Sequence, residues 1–324
     1  MTGQEYAIIA EDLTRSFKSL MPGSPEKVAV DGISFKVKSG EIYGILGPNG
    51  AGKTTTIKML STLLIPTSGL ATVLGQDVCD ERNIRALRKR INMVSGGERG
   101  LYYRLSGRQN LEFFADLYGI PKKEQKALIE GLLSLVELEE SADIKIEDYS
   151  RGMKQRIHIA RSLINSPEIL FLDEPTIGLD PEISKGIRSL IRKLSDGGTT
   201  VILTTHYMFE AEELCDNMII LSHGRVVGRG TVEEIKNSIS GVSSMRIITE
   251  KDPAEIAAAM VSQNKMEVCT SRLLNERYLT TIVMNDVDEK FIAVEEQFRP
   301  YQIVSIGIEE PTLEDAYLTL VSEG

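Results

Sequence analysis

From Tyr6 to about Glu41, apolar and polar residues take turns along the chain: Ile8, Ala10 and Leu13 in one run, then Val28, Val30, Ile33, Phe35 and Val37 in the next. A period of two marks strands with one buried face, so this opening predicts antiparallel strands, with MPGSPE as a loop between them. The run Ile42, Tyr43, Gly44, Ile45, Leu46 abandons the alternation and leads directly into a helical pattern over about 52–64. A short strand at 71–74 follows, then a basic helical stretch with Arg85, Arg88, Lys89 and Arg90. Those charges read as a solvated face, with contact to lipid headgroups as the alternative. Another strand is predicted over 91–94.

Between 106 and 166 the spacing is helical throughout: Leu111, Phe114, Ala115 and Tyr118, then Leu128, Leu132, Leu133 and Leu135. This reads as an inserted helical subdomain. Near-continuous apolar runs return at 169–172, 200–203 and 218–221, separated by helical stretches at 182–194 and 209–214. Strands buried on both faces and alternating with helices predict a parallel sheet covered on both sides. The tail reads strand 245–249, helix 253–261, strands 267–270 and 278–284, helix 289–298, strand 302–308 and helix 312–321. That order is similar to a split βαβ, ferredoxin-like unit.

Charge supports a boundary near Gly241. Residues 241–324 hold seven Lys or Arg against fifteen Asp or Glu, a balance of 7 − 15 = −8, whereas the whole chain carries −10 and so leaves −2 for residues 1–240. The acidic total argues against generic nucleic-acid binding, which needs a positive face to neutralise phosphates. With 324 residues and 42% hydrophobic composition the chain can bury a sizeable core. It shows no apolar run near the roughly 18 residues that cross a bilayer, and MTGQEYAIIAEDL lacks a signal-peptide layout. A cytoplasmic location is the expectation. Cys79, Cys215 and Cys269 are odd in number and widely spaced, which suits reduced thiols and gives none of them a function.

The chemistry concentrates at residues 47–55, GPNGAGKTT. The spacing of Gly47, Gly52, Lys53 and Thr54 fits a phosphate-binding loop, in which small residues let successive backbone N–H groups curl around an anion. Pro48, Asn49, Gly50, Ala51 and Thr55 complete the cradle. Lys53 would reach the β- and γ-phosphates and Thr54 the Mg²⁺, while the following helix points its positive end at the same charge. Further on, EILFLDE at 168–174 ends a buried strand in two carboxylates. Asp173 is placed to hold Mg²⁺ through water, and Glu174 to orient and deprotonate an attacking water. Without a phosphate loop upstream, these two acids would read as a polar strand end before the turn at Pro175.

Several motifs then appear in order: YSRGMKQR at 149–156, the acids at 173 and 174, PTIGLDP at 175–181, and His206 after VILTT. Over residues 5–240 this series resembles the ATP-binding cassette family, and most closely its drug, antibiotic and polysaccharide exporters; the ending EEPTLEDAYLTLVSEG is similar to the C-termini of that branch. The resemblance implies an α/β chain of the P-loop NTPase fold: a RecA-like parallel sheet core, an antiparallel β-subdomain and a helical subdomain, with the small α+β tail at 241–324 as an accessory or regulatory domain. It implies that Ser150 and Gly152 contact the γ-phosphate held by a second ATPase subunit, a copy or a paralogue, so that each chain supplies two half-sites. His206 would touch the γ-phosphate, Asp180 would cross the dimer interface or cap the helix beginning at Pro181, and Phe17 would stack on adenine or serve as a strand-end core residue.

The function implied is ATP hydrolysis, with ATP and Mg²⁺, powering export through a separate integral membrane permease on the inner face of the cell membrane. An importer subunit and a soluble cassette acting outside transport are the alternatives, the latter disfavoured because neither a tandem repeat nor sustained heptads occur. Two departures stand out. Arg151 and Met153 occupy signature positions where the family usually has Gly and Gln. The stretch SGGERGLYYRLSG lacks the usual glutamine that senses Mg²⁺ and water, Gln109 comes too late, and Glu98 is the substitute, with Gly96 and Gly97 beside it.

Overall fold

In a computed structural model the described residues are 5–18, 26–95, 100–239, 242–262, 268–274, 277–285, 287–309 and 312–323. They form two compact units, Met1–Val226 and Val227–Gly324.

The first unit begins with the alternating segment. Strands β1 (Tyr6–Phe17) and β2 (Lys27–Lys38) pair antiparallel, and β4 (Ser68–Val73) and β5 (Gln76–Asp77) complete a four-stranded sheet in the order β2-β1-β4-β5. Its inward residues Ala7, Ile8, Leu13, Val30 and Ile33 share one core with Ile45, Ile57, Phe171 and Ile219 of the central layer. Each fully buried side chain of this kind contributes roughly 1.5–3 kcal/mol, so the layer is fastened to the sheet by apolar burial.

The central sheet has the order β10-β9-β3-β8-β7-β6. Strands β3 (Ile42–Leu46), β6 (Ile91–Ser95), β7 (Ile169–Asp173), β8 (Thr200–Thr205) and β9 (Asn217–Ser222) pair in parallel wherever their register is defined. Every residue of β3, β7 and β8 is buried, which is why those sequences are apolar without alternation. Strand β10 (Arg225–Gly230) follows β9 through His223 and Gly224, whose φ angles of 47° and 83° are those of a two-residue hairpin turn.

Helix α1 (Lys53–Leu60) is shorter than the predicted 52–64, because Thr62 turns left-handed at φ 63° and ends it. Helix α2 (Glu81–Leu87) carries Arg85, and Arg88, Lys89 and Arg90 follow it in the turn to β6. The guanidinium of Arg88 donates to the hydroxyl and carbonyl of Thr62 at 2.8 Å each, and Arg90 pairs with Glu168. Arg88 and Arg90 tie the end of the helix to its neighbours, while Arg85, Arg88 and Lys89 stay exposed as the predicted solvated face.

The helical insertion consists of α3 (Gly107–Leu117), α4 (Lys122–Leu135) and α5 (Arg151–Ser162). A capping box of Ser106 and Gln109 starts α3, so Gln109 has a structural task. Glu98, with Gly96 and Gly97, lies outside the described residues. Helices α6 (Pro181–Asp196) and α7 (Met208–Leu214) pack against each other beside the sheet. The thiol of Cys215 is buried, and a Cβ at Gly44 would lie 2.8 Å from its Sγ; this cysteine is packing, and Cys79 is free and exposed.

The second unit contains α8 (Val232–Ser238), β11 (Val242–Thr249), α9 (Ala254–Ser262), β12 (Val268–Leu274), β13 (Arg277–Asn285), α10 (Val287–Phe298), β14 (Ile303–Glu309) and α11 (Leu313–Glu323). Its strands run β12-β13-β11-β14 with every neighbouring pair antiparallel, the arrangement of a ferredoxin-like split βαβ. Met245, Ile247 and Ile282 of the sheet meet Met260, Val294 and Phe298 of α9 and α10. Arg246, Leu279 and Thr281, on the opposite face by the two-residue period, border a small cavity of about 210 Å³ under α11.

Candidate nucleotide site

Strand β3 delivers the chain at Gly47 into the loop that ends on α1. Gly47 has φ 151°, and a Cβ there would collide with the carbonyl oxygen of Leu221. Gly52, the residue before α1, has φ 106°, and its Cβ would lie 2.5 Å from the carbonyl oxygen of Ala29. Both positions exclude a side chain by conformation and by space, so the glycines are required by the fold as well as by access to an anion. The loop borders a cavity of about 310 Å³ lined by Pro48, Asn49, Gly50, Gly52, Lys53, Thr54 and Thr55, together with Phe17, Lys27, Ala29 and Glu174.

Lys53 is buried, and its ammonium donates to the carbonyl oxygens of Gly47 at 2.7 Å and Pro48 at 3.2 Å. It also pairs with Glu174 Oε1 at 3.3 Å. The same oxygen stands 3.3 Å from His206 Nδ1. Three side chains, one from the start of α1 and two from just beyond β7 and β8, therefore converge on one carboxylate oxygen at the cavity wall.

One step along β7, Asp173 Oδ1 accepts from the hydroxyl of Thr54 at 3.1 Å and from that of Thr204 at 2.6 Å. Sequence reasoning missed Thr204. Its hydroxyl binds Asp173 and also accepts from the Glu174 amide at 3.0 Å, which helps hold Glu174 in its left-handed conformation at φ 49°. The available signal was a pair of threonines ending an otherwise apolar strand.

Thr54 and Asp173 supply adjacent oxygen donors, and among the described residues no cluster of three or more His, Cys, Asp or Glu could hold a metal by itself. A hydroxyl beside one carboxylate suits Mg²⁺, which keeps several waters and completes its shell with phosphate oxygens. Phe17, at the end of β1, is 38% exposed and faces the cavity, with the Arg15 guanidinium 4.8 Å from its ring centre. Its position is compatible with stacking on a base and is not that of a core residue.

Ser150, Gly152 and Asp180 are not among the lining residues of this cavity. Ser150 caps α5, its hydroxyl accepting from the Met153 amide at 3.2 Å. Gly152 is buried under α6, where a Cβ would lie 2.6 Å from Ile183 Cγ2, so its lack of a side chain also serves helix packing. Arg151 is exposed and directed toward Gly178. Asp180 occupies the residue before α6 but makes no capping hydrogen bond with its side chain, and Pro181 takes the first helical position. Its carboxylate is exposed and uncommitted to the helix.

A phosphate loop after one parallel strand, two carboxylates at the end of the strand next but one, and a histidine after the strand between them define a P-loop nucleotide hydrolase. The ABC transporter family model matches residues 30–177. The daunorubicin resistance ATP-binding protein DrrA3 of Streptomyces coeruleorubidus is 37% identical over 303 residues, covering 92% of each chain. The linearmycin resistance ATP-binding protein LnrL of Bacillus subtilis is 35% identical over 91% of this chain and 94% of its own. Nod factor export ATP-binding protein I of Burkholderia orbicola is 39% identical over 74% and 78%. Among solved structures, the dimeric post-hydrolysis state of the ATP-binding cassette MJ0796 with ADP and Pi aligns at a TM-score of 0.63 with 27% identity, covering 69% of this chain and 98% of that one. The chain belongs to the ABC transporter family, as an ATP-binding, ATP-hydrolysing subunit on the branch of the drug-resistance and export ATP-binding proteins.

Proposed function

We propose that the chain hydrolyses ATP in composite sites shared with a second ATPase subunit, and that the cycle drives export through a separate membrane permease. The convergence of Lys53, Glu174 and His206 beside the Thr54–Asp173 pair carries this reading.

In the proposed reaction the loop amides and Lys53 hold the phosphates, and Phe17 stacks on the adenine. Glu174 orients a water and takes its proton as the water oxygen bonds to the γ-phosphorus. The bond from that phosphorus to the bridging oxygen breaks, and ADP leaves. His206 holds the γ-phosphate through its ring. Mg²⁺ bound by Thr54, and by Asp173 through water, would neutralise charge on the β- and γ-oxygens. Lys53 now binds Gly47, Pro48 and Glu174, so an entering triphosphate takes over an ammonium already aimed at the phosphate position.

Ser150 and Gly152 are offered to the γ-phosphate of the second subunit from the start of α5, whose backbone N–H groups favour an anion. Two such chains facing head to tail would bury two nucleotides in a self-complementary two-fold interface, with Asp180 crossing it. ATP favours this closed arrangement, and loss of phosphate releases it. Among the described residues no helix is long and apolar enough to cross a membrane. In this reading the channel belongs to a separate permease, and this subunit sits beside it on the inner face of the cell membrane. Residues 241–324 act as an accessory or regulatory domain. Purification from detergent-solubilised membranes tests the assembly. A permease should co-purify, and recovery of the ATPase without any membrane protein would overturn the transport reading.

A further inference from the structure

Behind the nucleotide cavity lies a second polar group that the reaction does not use. The loop from β7 to α6 carries Glu174 at its start and Asp180 at its end, and Pro175 and Thr176 between them are buried. The hydroxyl of Thr176 donates to Glu210 Oε1 at 2.9 Å. Thr176 is 5% exposed and Glu210 only 2%. Glu210 sits in the first turn of α7, the helix that begins two residues after His206.

A carboxyl in this place is not explained by stability. Its second oxygen, Oε2, is buried without a hydrogen-bond partner, a penalty that an apolar side chain would avoid. Burial pushes the Glu210 carboxyl above its ordinary range, against the opposing pull of the nearby Thr205 and Thr176 hydroxyls and of the charges on Arg188 and His206.

What Glu210 does is join two loops. Thr176 belongs to the loop of Glu174 and Asp180, and the Glu210 amide donates to the carbonyl of Tyr207, the residue after His206, at 3.1 Å. Helices α6 and α7 are tied separately along their bodies, by Arg188 to Glu213 at 2.6 Å. That tie fixes helix on helix, whereas Glu210 reaches the two loops that hold the reacting groups.

We propose that Glu210 is a positioning residue of the hydrolytic site: with its buried carboxyl held on the Thr176 hydroxyl and its amide on the Tyr207 carbonyl, it makes the loop of Glu174 and Asp180 move as one body with the loop of His206. The proposal rests on the assignment of Glu174 and His206 made above. Small displacements of catalytic groups are costly, so severing the brace acts on turnover and spares nucleotide capture, which is the work of the phosphate loop.

The test is steady-state ATP hydrolysis by the purified full-length protein, with nucleotide affinity measured in parallel using a fluorescent ATP analogue. Thr176→Val keeps the shape and removes the donor. It should lower kcat by about tenfold, with KM and nucleotide affinity within about twofold, and Thr176→Ser should restore kcat. Glu210→Ala should behave like Thr176→Val, and the double variant should be no slower than Glu210→Ala alone, because both remove one interaction. Glu210→Gln keeps the accepting oxygen and should recover kcat to within about threefold of the parent. Unchanged kcat in Thr176→Val, multiplying losses in the double variant, or a rise in KM at constant kcat would each overturn the proposal. If Glu210→Ala fails to fold, the Thr176 pair decides the matter alone. Glu174→Gln and His206→Ala serve as reference: normal hydrolysis in those variants would remove the reading of the site, whereas their inactivity beside a normal Thr176→Val would remove only the brace.

Discussion

Glu174→Gln exchanges one carboxylate oxygen for an NH₂ group and changes little else. The amide matches the carboxylate in size, and the backbone hydrogen bonds from Glu174 N to the hydroxyl and carbonyl of Thr204, at 3.0 and 3.1 Å, do not involve the side chain. Lys53 loses its partner at 3.3 Å but keeps the carbonyls of Gly47 and Pro48, so no cation is stranded. The fold and the phosphate loop therefore survive, and the loss falls on proton transfer. Removal of a general base costs about 10² to 10⁴ in rate, or about 2.7 to 5.4 kcal/mol of barrier at 1.36 kcal/mol per factor of ten. Phosphate release at saturating ATP measures the loss, and size-exclusion chromatography with ATP present should show the dimer persisting. Turnover within about threefold of the parent, at unchanged ATP affinity, would show that Glu174 is not the base.

Thr54→Val removes the hydroxyl that meets Asp173 at 3.1 Å; titrations of a fluorescent ATP analogue should show binding weakened about tenfold or more with Mg²⁺ and little changed in EDTA. Ser150→Ala removes both the cap of α5 and a proposed γ-phosphate contact, so it should reduce ATPase activity more than Arg151→Gly does, and a larger loss for Arg151→Gly would make the arginine a catalytic contact. Burial raises the Glu210 pKa, so the folded state retains a proton the unfolded state has released, and the stability present below the unfolded pKa is lost as pH rises through the folded value. Glu210→Gln should flatten that decline in thermal melts across the same pH range, and an unaltered slope would contradict it.

The elements that the sequence revealed well are those whose chemistry is local. Alternation announced β1 and β2, unbroken apolar runs announced β3, β7, β8 and β9, and the order of the tail's elements was legible together with its split βαβ character. Elements with a weak local signal were missed. Strand β10 has only Val226 and Val227 among arginines and glycines, and α8 is a seven-residue helix resting on a Thr231–Glu234 capping box and a single buried residue, Ile235. The basic residues at the end of α2 are largely exposed, as their sequence suggested, but the partners of Arg88 and Arg90, Thr62 and Glu168, are distant in the chain and were not legible in it.

The phosphate loop could be read directly because its requirements lie within nine residues: glycines at positive φ, a lysine and a threonine at fixed spacing after a buried strand. The sequence alone thus determined a loop with the spacing of an anion cradle, the residues that form it, and two carboxylates at another strand end. Only the tertiary structure decided that these groups meet. Thr54 and Asp173 are 119 residues apart in the chain, and their contact follows from a strand order that hydrophobic period does not encode. The same holds for Thr204 beneath Asp173, for Gly152 against Ile183 and for Glu210 beneath Thr176. Periodicity records which face of an element is buried, whereas side-chain contact depends on which elements become neighbours and in what register.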